Sequence, residues 1–267
     1  MTVVPDQASD PWQQGSPYER YIGRWSRLIA PRFIDWLGVP PGRRWVDVGC
    51  GTGALSAAIV ERAAPASLTG VDPSDGFLAT ARAHVDPPAQ FVSGSATALP
   101  LPDRSADAVV SGLVLNFVPD TAAALAEMQR VAGAGATIAA YVWDYGGRMQ
   151  LIRHFWVEAL ALDPAAAALD EATRFPLCRA DALRLAFEAS GLQAVEVEAI
   201  EVDTPFADFD DFWSPFLGGQ GPAPAYVAAL DPARRTRLRE ALRARLPVAA
   251  DGSIRLVARA WAVRART

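Results

Sequence analysis

Trp45-Val46-Asp47-Val48-Gly49-Cys50-Gly51-Thr52-Gly53 is the stretch on which the rest of the chain turns. It begins as an apolar, β-branched strand and then breaks into glycines on alternate positions. Behind it Leu55, Ala58, Ile59 and Arg62 recur at helical spacing over 54–64, and Pro65 stops the run. Strand, glycine turn and helix open a nucleotide-binding βαβ unit. Glycine allows the backbone to turn with positive φ and to approach a ligand with no Cβ in the way. The N-terminus of the helix presents unpaired N–H groups to whatever sits there.

Gly49, Gly51 and Ala54 satisfy the dinucleotide pattern G-x-G-x-x-G/A, which alone is a weak signal. Three features point elsewhere: Asp47 inside the strand end, Gly53 at a position that pattern leaves free, and Asp72 closing the second strand in Val71-Asp72-Pro73-Ser74. The sequence resembles the class I S-adenosylmethionine-dependent methyltransferases, whose first motif reads acid-x-Gly-x-Gly-x-Gly. The likeness continues through Gly94-Ser95-Ala96-Thr97-Ala98-Leu99-Pro100 and Asp107-Ala108-Val109-Val110-Ser111, over roughly residues 18–145. In flavour it is nearest the quinone-methyltransferase-like branch with small-molecule substrates. The resemblance implies an α/β fold with a doubly wound, seven-stranded, mostly parallel sheet. It also implies S-adenosyl-L-methionine as cofactor and transfer of its methyl group to a small acceptor.

Composition narrows the alternatives. The chain has 267 residues, 51% of them apolar, enough for one α/β domain with insertions. A net charge of −5 without long runs of like charge disfavours nucleic acid as a partner. The one basic stretch, Arg234 to Arg245, reads as the solvated face of an amphipathic helix. All 25 basic residues are arginine, which excludes a Walker-A lysine, Schiff-base chemistry and the Tyr-x-x-x-Lys base of short-chain dehydrogenases. Cys50 and Cys178 make no disulfide framework, and His84 and His154 make no metal cluster. With no apolar leader and no 18-residue apolar run, a cytoplasmic protein without a membrane span is expected. Oligomeric state is not legible.

Taken in order, residues 1–16 read as a flexible tail and 17–145 as the cofactor-binding core with a helical cover. Residues 146–267 complete the same domain, with insertions at 146–178 and 203–250 forming a lid over the substrate. The cover is expected as helical from Pro17 to Leu37, with Pro31 starting a second helix. Strands are expected at 45–48, 67–72, 90–93, 106–112 and 136–143, and helices at 54–64, 75–85 and 121–131, the last closed by Gly133 and Gly135. Further helices are expected at 148–162, 164–173, 180–190, 223–229 and 232–246. A strand is expected at 193–202, and a last one at 253–263 pairing antiparallel at the sheet edge.

The cofactor has an adenine, a ribose diol, an amino-acid end and a sulfonium methyl. A diol wants a carboxylate at the end of the second strand, and Asp72 stands there with Pro73 and Ser74 beside it and no arginine to suit a 2′-phosphate. Asp47 takes the ammonium, Gly49, Cys50 and Gly51 bring main-chain groups to the amino-acid end, and Ser111 offers a carbonyl. Where the family usually has an acid at the adenine edge, this chain has Ser95 followed by Ala96. The resemblance also implies an aromatic and an arginine from the cover, for which Tyr18, Arg24 and Trp25 are the candidates. Asn116 is a further candidate on the cofactor side and can also orient a substrate. Trp143, Tyr145, Phe212, Trp213 and Phe216 are the candidate acceptor pocket, against the alternative that they pack the insertions. Asp144, Tyr145 and His154 are candidate bases, and no catalytic residue is assigned. Two other readings stay open: a protein of this fold that binds the cofactor without turnover, and an NAD-linked oxidoreductase.

Overall fold

Strand β1 (Arg44–Val48) buries every residue but its first, as a strand covered on both faces does. It pairs in parallel with β2 (Ser67–Asp72) and β4 (Ala106–Gly112); β2 pairs with β3 (Ala89–Ser93), and β4 with β5 (Ala132–Trp143). β6 (Gln193–Phe206) and β7 (Ile254–Arg266) complete a seven-stranded sheet of order β3-β2-β1-β4-β5-β7-β6. The structure is a computed structural model that describes residues 23–218 and 221–267. The expected tail, Tyr18, and Gly219 and Gln220 of the glycine-rich run lie outside the described residues.

Helices cover both faces, in the alternation that parallel strands require. They are α1 (Arg24–Leu37), α2 (Ala54–Ala63), α3 (Asp75–His84), α4 (Thr121–Val131), α5 (Gln150–Leu162), α6 (Glu171–Arg174), α7 (Ala180–Ala189), α8 (Phe209–Trp213), α9 (Pro222–Ala229) and α10 (Pro232–Arg245). Asp120 caps α4 by accepting the Ala123 N–H at 2.9 Å, as a helix start prefers. None of the described helices is long and apolar enough to cross a membrane.

Besides β6 running on to Phe206 where 202 is the expected end, four details depart from the expectations. α1 runs unbroken through Pro31. A proline inside a helix costs about 3 kcal/mol. The helix keeps a continuous buried stripe of Trp25, Ile29, Ala30, Phe33, Ile34 and Leu37, and each large side chain in it contributes about 1.5–3 kcal/mol. The stripe wins. β5 starts at Ala132, not Ala136, because Gly133 and Gly135 stay in the strand: Gly135 takes φ +70, and Thr267 binds the Gly133 carbonyl at 2.8 Å and the Ala136 N–H at 3.1 Å. The alanine run 164–173 is split into a 3-10 turn, Pro164–Leu169, and α6, because Asp170 leaves helical geometry to cap α6 and pair with Arg153 at 2.7 Å. Finally, β7 is not at the edge. It lies antiparallel between β5 and β6, and β6, with Glu196, Glu198, Glu201 and Asp203, is the edge strand whose charges discourage further pairing.

Candidate active site

The carboxyl ends of the parallel strands form one rim, and β1 emerges there between neighbours that lead in opposite directions, where open α/β sheets bind ligands. After Val48 the chain is tied back to β2: Gly49 and Cys50 donate to the Val71 carbonyl at 2.7 and 3.1 Å. Gly49 and Gly51 hold φ +73 and +52. A Cβ on Gly49 would lie 2.4 Å from Val114 Cγ1, so that glycine lets the turn after β4 close over the loop. A Cβ on Gly51 would meet nothing within 4 Å, so on that side its backbone borders free space.

Asp72 borders that space through the Gly51 N–H, and a second carboxylate, Asp47, lies near Asp72. Asp47 has no solvent exposure; its Oδ2 accepts from Ser56 Oγ at 2.7 Å, and its Oδ1 is buried with no partner. Burial pushes its pKa up to about 7; the Ser56 hydroxyl opposes the rise and the nearby Asp72 charge adds to it. Asp72, also buried, accepts the Gly51 N–H at 3.0 Å and the Ser74 N–H at 2.9 Å. Burial raises its pKa and those two N–H groups hold it down. Capping of α3 falls to Ser74, whose hydroxyl accepts from Phe77 at 3.3 Å, while Pro73 is exposed. Cys50 turns the other way and packs with Leu78, Ala81 and Phe91, where burial drives its thiol pKa up.

Along the rim beyond β3, the Ser95 hydroxyl lies 2.9 Å from that of Thr97 and accepts the Thr97 N–H at 3.2 Å; Ala96 packs against the core. Ser111 is fully buried and its hydroxyl donates to the Val48 carbonyl at 2.8 Å, fastening β4 to the root of the glycine loop. Leu113 follows at φ +62, and Asn116 sits in a 3-10 turn (Leu115–Phe117) with its Nδ2 buried and unpartnered. An orphaned buried donor or acceptor costs about 1–3 kcal/mol, so such atoms on a ligand-facing rim are groups a ligand can satisfy.

Arg24 and Trp25 stand at the end of α1 that meets the second insertion. The Arg24 guanidinium lies 4.2 Å from the Trp25 ring centre and 4.8 Å from that of Phe206, and pairs with Asp211 at 3.2 Å. Among the described residues its Nε and Nη2 are buried without partners, as is Trp25 Nε1. Phe212, Trp213 and Phe216 are buried in a continuous aromatic cluster: Phe212 meets Phe206 at 5.4 Å, and Phe216 stacks on Phe155 at 4.6 Å. As they stand, these three rings pack the insertions onto one another. Trp143 is buried with an unpartnered Nε1. Tyr145 joins Phe175 at 5.8 Å, and Phe175 meets Phe117 edge-on at 4.9 Å. Phe117 and Phe175 escape sequence reading because they come from separate turns with no shared periodicity. The proximity of Phe117 to Asn116 was the one available signal.

Two of the candidate bases are engaged elsewhere. Asp144 is buried, pairs with Arg259 at 2.6 Å and accepts the Arg148 N–H at 2.8 Å. His154 lies on α5 facing Arg245 and Glu158; burial, helped by Arg245, lowers its pKa.

An antiparallel seventh strand inserted before the sixth is not the all-parallel 3-2-1-4-5-6 order of dinucleotide folds. Residues 46–140 match a family model described as a methyltransferase domain. A demethylmenaquinone methyltransferase of Renibacterium salmoninarum is 37% identical over 115 residues, 43% of this chain and 46% of that protein. A malonyl-[acyl-carrier protein] O-methyltransferase of Serratia marcescens is 37% identical over 116 residues, 42% and 43% of the two chains. The chain thus spans about half the length of the curated relatives it matches. Among solved structures, the YcgJ protein of Bacillus subtilis superposes with a TM-score of 0.56 at 17% identity, over 90% of this chain and 98% of that one. Phosphoethanolamine N-methyltransferase 2 of Haemonchus contortus, in complex with S-adenosyl-L-methionine, gives 0.55 at 17% identity, over 98% and 58%. Sheet order, glycine loop and the match over residues 46–140 agree: this part of the chain is similar to methyltransferase domains, and the sheet around it has the fold of the solved methyltransferase structures.

Proposed function

We propose that this chain transfers the methyl group of S-adenosyl-L-methionine to a small acceptor with an apolar or aromatic body. The observation that carries the reading is the bare, buried Asp47 Oδ1 close to Asp72, which in turn holds the Gly51 N–H at the edge of free space. A buried carboxylate oxygen without a donor fits an ammonium group, and free space along a glycine backbone fits the chain that bears it. In this reading Asp72, with Pro73 and Ser74, binds the ribose diol. Gly49, Cys50 and the Ser111 carbonyl border the amino-acid end, and the Ser95 hydroxyl and Ala96 N–H meet the adenine edge. The orphaned donors of Arg24 suit the carboxylate of that end, with Trp25 beside it.

The bound cofactor supplies an electrophilic methyl on a positively charged sulfur. What remains for the protein is to hold the acceptor in line, about 3–3.5 Å from that carbon, and to exclude water. Phe117, Tyr145 and Phe175 offer an apolar aromatic wall beyond β4 and β5, and Asn116 Nδ2 can donate to an acceptor oxygen. The segments 146–178 and 203–250 form the lid, with Trp143, Phe212, Trp213 and Phe216 as its apolar interior. No base is assigned: Asp144 is bound to Arg259, and positioning suffices for an acceptor that arrives ionised. Relatives named for demethylmenaquinone and for malonyl-[acyl-carrier protein] support an acceptor other than nucleic acid.

The test is parallel calorimetric titration with S-adenosylmethionine, S-adenosylhomocysteine and NADH. Micromolar binding of the two sulfur ligands and none of NADH is expected. Incubation with quinol, phenol and carboxylate acceptors, followed by S-adenosylhomocysteine release, then separates an enzyme from a binding protein. Failure of both sulfur ligands to bind overturns the proposal.

A further inference from the structure

The loop after β3, residues 94–103, is held at two points by main-chain bonds and by a clamp from the end of α4. At its start the Gly94 N–H donates to the Asp72 carbonyl at 3.2 Å. A Cβ on Gly94 would stand 2.6 Å from Pro100 Cδ and 2.9 Å from Val71 Cγ1, so the loop folds tightly back on itself. At its far end Arg130 donates from Nη2 to the Leu99 carbonyl at 2.9 Å and from Nη1 to the Leu101 carbonyl at 2.8 Å, and pairs with Asp103 at 2.7 Å. Glu127 closes the clamp: its Oε1 takes Arg130 Nε at 2.7 Å, and its Oε2 takes the Leu99 N–H at 2.7 Å. The Arg104 N–H returns to the Arg130 carbonyl at 2.9 Å. Arg130 therefore spends its planar fork on two carbonyls and two carboxylates at once, a fixed geometry that a lysine cannot reproduce.

What lies between the fixed points is Ser95 to Ala98. Its hydroxyls bond each other rather than the body of the protein, and Ser95 and Ala98 bridge across the turn. No carboxylate stands in this span. An adenine placed here is read by a neutral hydroxyl and a main-chain N–H, groups whose positions follow the backbone of the loop. The choice of base then depends on how firmly that backbone is held.

We propose that Arg130, braced by Glu127, is a positioning residue for adenine recognition, acting through Leu99 and Leu101 on the span Ser95–Ala98. The inference rests on the cofactor reading given above. It is tested by calorimetry with S-adenosylhomocysteine and its inosine counterpart, in which an oxo group replaces the 6-amino group. Wild type, Arg130→Gln, Arg130→Lys and Glu127→Gln are compared, each with its thermal midpoint. Wild type is expected to favour the adenine ligand by about tenfold or more, since a site arranged for one donor pattern rejects another. Arg130→Gln is expected to reduce that preference to within about threefold, mainly by losing affinity for the adenine ligand, and Arg130→Lys to recover only part of it. Glu127→Gln, which keeps size and hydrogen bonding, is the milder variant should Arg130→Gln not fold. A clamp with only a structural role would lower the thermal midpoint and weaken both ligands equally, and a preference retained in every folded variant overturns the proposal. Equal binding of both ligands by wild type overturns it as well. If wild type binds neither ligand, the cofactor reading itself has failed.

Discussion

Asp47 and Asp72 carry different loads although both are buried acids of one rim. Asp72 already accepts two main-chain N–H groups, whereas half of Asp47 is bare and its pKa is pushed to about 7. An ammonium pairs with the ionised form, so below pH 7 binding must first remove a proton from Asp47. The affinity for S-adenosylhomocysteine is therefore expected to rise about tenfold per pH unit up to near pH 7 and to level off above it. Calorimetry between pH 5.5 and 8.5 in buffers of different ionisation enthalpy measures both the slope and the released proton; Asp47→Asn should flatten the curve. Asp72→Ala should weaken binding by at least about tenfold, ~1.4 kcal/mol, at all these pH values. An unchanged affinity in a folded variant would remove Asp72 from the ribose. Both acids were legible from sequence because their places are fixed by spacing to the glycines and to a strand end. The bond from Ser111 to the Val48 carbonyl was not, since it joins strands whose register no local pattern reveals.

The glycine loop works as an element, and its glycines are not equivalent. Alanine at Gly51 meets only the left-handed backbone penalty of about 1–2 kcal/mol, because nothing stands within 4 Å. It would, however, place a methyl in the space assigned to the cofactor. At Gly49 the methyl collides with Val114, so overpacking of about 1–3 kcal/mol is added. Urea unfolding should show Gly49→Ala destabilised by roughly 2–5 kcal/mol and Gly51→Ala by clearly less. Calorimetry should show cofactor binding lost in Gly51→Ala despite its milder folding defect. Equal binding by Gly51→Ala and wild type would move the ligand off this backbone. Most elements could be read to within a residue or two, because strand and helix periods were clean. Where reading failed, tertiary contacts overrode local preference. Thr267 drew Gly133 and Ala136 into β5, and Asp170 turned aside to meet Arg153.

At the scale of the whole molecule, the half after Trp143 was the less legible one. Its elements could be named, but not which strand would lie inside the sheet or how the insertions would bury charge. Glu171 shows the second point. It is fully enclosed, accepts from Trp156 Nε1, and burial pushes its pKa to about 7, opposed mainly by hydrogen bonds. An acid whose folded pKa is raised contributes most below its unfolded pKa, and that contribution is lost as pH rises to the folded value. Stability of the ligand-free protein is therefore expected to fall between about pH 4.5 and pH 7, through Glu171 and Asp47 together. Glu171→Gln keeps an acceptor for Trp156 but cannot ionise. At roughly 1.4 kcal/mol for each pH unit separating the folded and unfolded titrations, it should gain up to about 3 kcal/mol over wild type at pH 8 and nothing at pH 4.5. Urea unfolding at the two pH values measures the difference. A gain of the same size at both would mean that packing, and not the buried charge of Glu171, governs how the first insertion holds to the sheet.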